Sequence, residues 1–304
     1  PTELPLLQAA AAVGQGRLIA TYERYFDRFG AKAAQVLLTA DDLADRSRYL
    51  HVRNTFRALL HFGAIPIVNE NDTVSVEELK TTFGDNDKLA SLVAGLFDAP
   101  LLILLTDVDG LYDRDPADPQ ARLVPMVEEW SPELLTMVAE KKSKRSKGGM
   151  GSKLRAAKMI TEGNGNVIIA GGDRPETLGR IFDAQEEGTI FLVQDTRLSA
   201  WKRWIGFAAQ PDGILVIDDG AVQAIVERNK SLLAVGIVGC SGDFEQGEIV
   251  SLYDEKGTEI ARGLTNYNRA DLDRIRGKKT VDIRGILGVC SYRDVVNQDN
   301  MQTL

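Results

Sequence analysis

Apolar residues recur every three or four positions through the first sixty residues of the chain. Leu6, Leu7, Ala10 and Val13 lead into Leu18, Ile19, Tyr22 and Phe26, a spacing that predicts helix. A short run, Gln35-Val36-Leu37-Leu38, stops at Thr39, a residue suited to N-cap a helix through Asp41–Arg46. An amphipathic stretch from Tyr49 to Phe62 closes at Gly63, and Ala64–Val68 then reads as a strand. Its unbroken apolar character suits a parallel sheet covered on both faces. The alternation continues with helix over Lys88–Phe97, strand over Leu101–Leu105, helix over Lys153–Glu162 and strand over Asn166–Ala170, which Gly171-Gly172 stops. Strand and helix in turn predict an α/β fold with a mainly parallel sheet. Ligands in such sheets collect at the carboxyl ends of the strands.

The pattern changes between residues 195 and 212. After Gly213 come short β-prone runs: Ile214–Ile217, Leu232–Val238, Glu248–Tyr253, Glu259–Leu264 and Thr280–Ile283. Asp219-Gly220, Ser241-Gly242 and Lys256-Gly257 separate them as turn pairs. This predicts a small β-barrel or sandwich. The expected division is therefore a first domain over 1–195, a linker over 196–211 and a second domain over 212–304. One biased segment, the lysine-rich Glu140–Lys147, interrupts the first domain.

A length of 304 residues agrees with two domains, and 44% hydrophobic with 26% charged residues marks a soluble globular class. No apolar run approaches the roughly 20 residues that span a bilayer, so no membrane partner is expected. Cys240 and Cys290 form no C-x-x-C pair, which argues against a metal site or a disulfide framework. A cytoplasmic location fits best. The net charge of −8 argues against nucleic acid, and from Asp212 onward fifteen acidic side chains outweigh eleven basic ones. The chain opens on Pro1 inside a helix lead-in, so an upstream segment is expected.

Four polar loops carry the candidate chemistry. Asn69-Glu70-Asn71-Asp72-Thr73 follows the strand at 64–68 and can hold the ammonium and carboxylate of a small ligand, or simply cap a turn. Gly84-Asp85-Asn86-Asp87-Lys88 opens a helix, where Asp85 or Asn86 can equally be an N-cap. Thr106-Asp107-Val108-Asp109-Gly110 ends the strand at 101–105 and can hold a nucleotide's ribose or base, unless Asp109-Gly110 is only a turn. Lys147-Gly148-Gly149-Met150-Gly151-Ser152-Lys153 opens another helix, suited to phosphate, although it is not a Walker A loop. His51 and His61 lie outside all four.

Together IPIVNENDTV, GDNDKLA, LLTDVDGLY and GGMGSKL resemble the amino-acid kinase family, most closely its branch acting on free glutamate. AAAVGQGRL and AQVLLT fit the same family. GDFEQGEIVSLYDEKGTEIARGLTNY and the closing DVVNQDNMQTL resemble a PUA domain. The resemblance implies a three-layer α/β sandwich followed by a small PUA-like β-barrel. It implies transfer of phosphate from ATP, with Mg²⁺, to the side-chain carboxylate of L-glutamate. Asp72 and Asn86, with Asn71 beside them, would hold glutamate. Asp87 would organise the transfer centre by orienting lysines, and Lys153 would neutralise the transferring group. Thr106 and Asp107 would contact the nucleotide, while Lys147, Gly148, Gly149, Met150, Gly151, Ser152 and Lys153 would cover its phosphates. The resemblance also implies feedback inhibition by proline and a homo-oligomer, dimer or tetramer, built through the kinase domain. Acetylglutamate or aspartate as the acceptor is the nearest rival, and RNA binding through the PUA-like part is the rival from another class. The sequence departs from the family pattern in two places. The family's first strand, with its lysine-bearing phosphate loop, and a later serine that contacts glutamate are missing from it. The segment before GGMGSK is EKKSKRSK where the family is rich in Gly, Ser and Thr.

Overall fold

A computed structural model describes residues 3–75, 85–131, 134, 149–194, 199–288 and 292–304. The chain divides into two compact units, Pro1–Leu198 and Ser199–Leu304. Lys147, Gly148, Cys290 and the lysine-rich segment lie outside the described residues.

The first unit opens with helix α1, Leu4–Phe26, whose apolar side chains are not buried although their period is helical. Gly30, at a positive φ of 68°, turns the chain into strand β1, Lys32–Leu38. Thr39 begins the short helix α2, Ala40–Ala44, where the Asp42 carboxylate accepts from both the Thr39 N–H and its hydroxyl at 2.8 Å. Helix α3, Arg46–His61, follows, and Gly63 at φ 72° leads into β2, Ala64–Glu70. β1 and β2 pair in parallel, with Leu38 opposite Glu70. His51 and His61 are exposed on α3.

Helix α4, Asn86–Leu96, precedes β3, Leu101–Thr106; the two-residue strand β4, Met126–Val127, comes next. Helix α5, Met150–Thr161, leads to β5, Asn166–Gly171, then α6, Thr177–Phe182, and β6, Thr189–Phe191. These strands lie in the order β3-β5-β6-β4; β3 with β5 and β4 with β6 are parallel, β5 with β6 antiparallel. The α/β fold with mainly parallel pairing is the one expected. Eight of the twelve residues of α5 are buried. Leu154, Ala157 and Ile160 on α5 meet Ala94 on α4 and Leu104, Val167 and Ile169 on the strands in one core. That packing presses α4 against α5, which is what positions the site.

The second unit is a five-stranded sheet, ordered β11-β10-β9-β7-β8, from β7 (Gly213–Ile217), β8 (Ile237–Gly242), β9 (Ile249–Tyr253), β10 (Glu259–Thr265) and β11 (Val296–Thr303). Two expected strands are something else. Thr280–Leu287 is a helix, because Ile283 is buried and Ile286 and Leu287 pack against the same core at helical spacing; Gly288, at φ 80°, ends it. Within Leu232–Val238 the chain makes a 3₁₀ turn at Ala234–Gly236 before β8 begins. A β-carbon at Gly236 would stand 2.7 Å from that of Ala221, so the helix Asp219–Val226 requires the glycine.

Candidate functional site

The α4 and α5 N-termini are treated differently by their own sequences. Asp85 caps α4, accepting from the Lys88 N–H at 2.8 Å. The N-cap position of α5 is Gly149, which has no side chain to cap it, and among the described residues a β-carbon there would meet nothing within 4 Å. An uncapped N-terminus leaves amide donors in the first turn and the positive end of the helix dipole for an outside anion.

Two side-chain pairs join these ends. The Lys153 ammonium lies 3.0 and 3.2 Å from the two Asp87 oxygens, with the side chains only 10% and 14% exposed. At the preceding residue of α5 the Ser152 hydroxyl donates to the Asp85 carboxylate. A lysine this deep needs a counter-charge, because desolvating an unpaired ammonium costs several kcal/mol. Asp87 supplies it and fixes the ammonium beside the open end of α5. The N-cap reading of Asp85 holds, yet the same carboxylate also ties Ser152; Ser152 is thereby buried against α4. Asn86 is exposed at the first position of α4.

At the end of β2, Glu70 is buried and the chain turns at once. The Asn71 N–H donates to Leu38 O at 2.8 Å, tying the loop to the end of β1. Its carbonyl accepts from the N–H groups of Val74 and Ser75, and its side-chain oxygen accepts from the Thr73 hydroxyl at 2.5 Å. Asn71 therefore shapes the turn, the plainer of its two readings. Asp72 is exposed beside it; partial burial and then the Glu70 charge hold its carboxyl above the usual carboxylate range. A ligand ammonium would relieve that excess of negative charge.

The third loop runs from β3 across the end of β5. Gly172 N–H donates to Thr106 O at 2.7 Å, and Leu111 N–H donates to the buried Thr189 hydroxyl at 2.8 Å. Between those anchors the Thr106 hydroxyl donates to the Asp107 carboxylate at 3.1 Å, with Asp107 exposed. Asp109-Gly110 is more than a turn. A β-carbon on Gly110 would sit 2.7 Å from Thr189 Oγ1, and Arg174 Nη2 lies 3.1 Å from Asp109 Oδ1. Sequence reasoning missed Arg174 and its second partner, Glu187, whose side chain is only 4% exposed, since both fall in stretches with no motif of their own. Among the described residues no group of three or more His, Cys, Asp or Glu is placed to hold a metal ion, and no described helix is long and apolar enough to cross a membrane.

Comparison with known proteins finds the amino acid kinase family model over residues 2–171 and the PUA domain model over 213–287. The chain is 45% identical over 305 aligned positions to a glutamate 5-kinase of Caldanaerobacter subterraneus, covering 100% of this chain and 82% of that one. A glutamate 5-kinase of Moorella thermoacetica is 47% identical, with 100% and 80% covered. One from a Synechococcus strain is 48% identical, with 100% and 82% covered.

Proposed function

The chain belongs to the amino acid kinase family and, within it, to the glutamate 5-kinases, and we propose how its loops perform that reaction. It phosphorylates the side-chain carboxylate of L-glutamate with ATP, giving L-glutamyl 5-phosphate at the start of proline synthesis. The Lys153–Asp87 pair beside the uncapped end of α5 carries our assignment of the centre.

The nucleophile is a carboxylate with a solution pKa near 4, ionised at neutral pH, so no general base is needed. The position of both histidines outside the loops agrees with that chemistry. What the reaction requires is alignment and neutralisation of a dispersed negative charge in a loose transition state. Lys153, held by Asp87, would supply a fixed positive charge to the transferring group. The first amides of α5, at Met150 and Gly151, would donate to phosphate oxygens together with that of Gly149. Thr106 and Asp107 would contact the nucleotide at the end of β3. Asp72 and Asn86 would hold the ammonium and carboxylate of glutamate, with Asn71 setting the turn that carries Asp72. Mg²⁺ would arrive on the phosphates as the substrate Mg·ATP, which needs no dedicated protein cage.

Proline presents the same α-carboxylate as glutamate, and inhibition at the glutamate pocket follows from this reading; a homo-oligomer formed through the kinase unit is what the family resemblance adds. The cytoplasm, which supplies ATP and glutamate together, is the compartment it implies. ADP release with Mg·ATP and L-glutamate, acetylglutamate or L-aspartate tests the acceptor. Turnover with glutamate alone supports the assignment, and turnover only with another acid overturns it.

A further inference from the structure

The segment Asp107–Gly110 crosses the end of β5 as a hoop. Its ends are fixed by a main-chain bond, Gly172 N–H to Thr106 O at 2.7 Å, and by a bond to a side chain, Leu111 N–H to Thr189 Oγ1 at 2.8 Å. Thr189 is itself committed, donating to Val124 O at 2.6 Å. Among the described residues no strand pairs with its middle. Among the described residues, the side chains that grip it are Arg174 and Tyr112, both on Asp109: Arg174 Nη2 at 3.1 Å from Oδ1, and the Tyr112 hydroxyl at 3.4 Å from Oδ2.

Arg174 reaches across from just after Gly171-Gly172, at the carboxyl end of the neighbouring strand. Its Nη2 also binds Glu187, whose side chain is only 4% exposed, and Arg180 Nε closes on the other Glu187 oxygen at 2.7 Å. A nearly buried carboxylate held by two guanidiniums is a firm anchor, since charge-assisted bonds strengthen as water is excluded. Asp109, by contrast, is exposed, and its pair with Arg174 would mean little for stability taken alone. The glycine at the end of β5 makes the close crossing possible: a β-carbon on Gly171 would stand 3.2 Å from Asp109 Oδ1 and 3.6 Å from its Cα.

We propose that Arg174 is a positioning residue for the nucleotide: anchored on Glu187, which Arg180 also holds, it clamps Asp109 and thereby fixes the loop that carries Thr106 and Asp107. This rests on the reading that the loop contacts ATP. Without the clamp the hoop keeps both ends but is left at its centre with only the long Tyr112 bond among the described side chains, so binding of the nucleotide must order it. The cost falls on the ATP complex and leaves glutamate and the phosphoryl-transfer centre untouched.

Steady-state kinetics of the intact enzyme test this through four variants. Arg174→Ala raises the KM for ATP about two- to five-fold, the size set by one partly exposed ion pair, while kcat and the KM for glutamate stay within about two-fold. Asp109→Asn, an exposed change that leaves the core alone, produces the same rise. The double variant is no worse than either single one, because the two act through one contact. An unchanged KM for ATP in Asp109→Asn, or additive effects in the double variant, overturns the proposal even if Arg174→Ala folds poorly. Asp107→Ala reports on the underlying reading separately. If it raises the KM for ATP while Asp109→Asn does not, only the clamp is wrong; if it too has no effect, the nucleotide does not use this loop and both fall.

Discussion

Replacing Asp87 by Asn keeps the shape of the side chain and removes its charge, leaving Lys153 in place. At 3.0 Å and an effective dielectric of about 20, the attraction between the two charges is roughly 5 kcal/mol. Desolvation of two groups only 10% and 14% exposed cancels much of it, and the amide oxygen can still accept one bond from the ammonium. Asp87→Asn should then destabilise the kinase unit by about 1–3 kcal/mol, below the 3–5 kcal/mol of a fully buried broken pair. For a unit of this size each kcal/mol lowers Tm by about 2–4 °C, within reach of a thermal scan. Activity should suffer more. A lysine no longer fixed beside α5 forfeits electrostatic stabilisation of the transition state, and kcat should fall about 10²-fold or more. The double variant Asp87→Asn/Lys153→Met separates the two effects: with both charges gone, stability should recover toward the parent while activity stays lost. A double variant as unstable as Asp87→Asn, or an Asp87→Asn enzyme within a few-fold of parental kcat, refutes the reasoning.

Other outcomes follow from the same geometry. Asp85→Ala removes the cap of α4 and strands the buried Ser152 hydroxyl, so urea unfolding should show a loss of about 2 kcal/mol, against about 1 kcal/mol for Ser152→Ala. Gly110→Ala drives a methyl against Thr189, including its backbone nitrogen at 3.1 Å; it should cost about 1–3 kcal/mol and raise the KM for ATP more than that for glutamate. Asp72 protonates above the range of an ordinary aspartate, so its ionised form, and the hold on the glutamate ammonium, is lost as pH falls through that raised value. The KM for glutamate should climb on acidification before that point is reached by an unperturbed aspartate, and Asp72→Asn should flatten the dependence. For stability the sign is reversed: this group favours the fold most at low pH and least once it is ionised.

Part of the kinase unit was legible because two of its strands are continuous apolar runs followed at once by polar residues, whereas β4 and β6, two and three residues long, are too short to show a period. Ala64–Val68 and Leu101–Leu105 fall inside β2 and β3 as read. The second unit was harder. Thr280–Ile283 has β-branched residues that favour a strand locally, and burial of Ile283 with Ile286 and Leu287 on one face made a helix. β11 was hidden by its polar composition, Val296-Asn297-Gln298-Asp299-Asn300, which has no alternating apolar pattern to find. The site showed the same division. Asp87 and Lys153 could be named from motifs, but that they meet at 3.0 Å depends on packing of α4 against α5. Arg174 and Glu187 stand thirteen residues apart in unremarkable sequence, and only the return of β6 alongside β5 brings them together over Asp109.

Hydroxylamine trapping tests the central claim most directly, because only an acyl phosphate yields a hydroxamate. With Mg·ATP and L-glutamate, the intact enzyme should form glutamyl hydroxamate in step with ADP, and the Asp87→Asn variant should form about a hundredth as much or less. ADP without hydroxamate, or hydroxamate undiminished in the variant, would contradict the account.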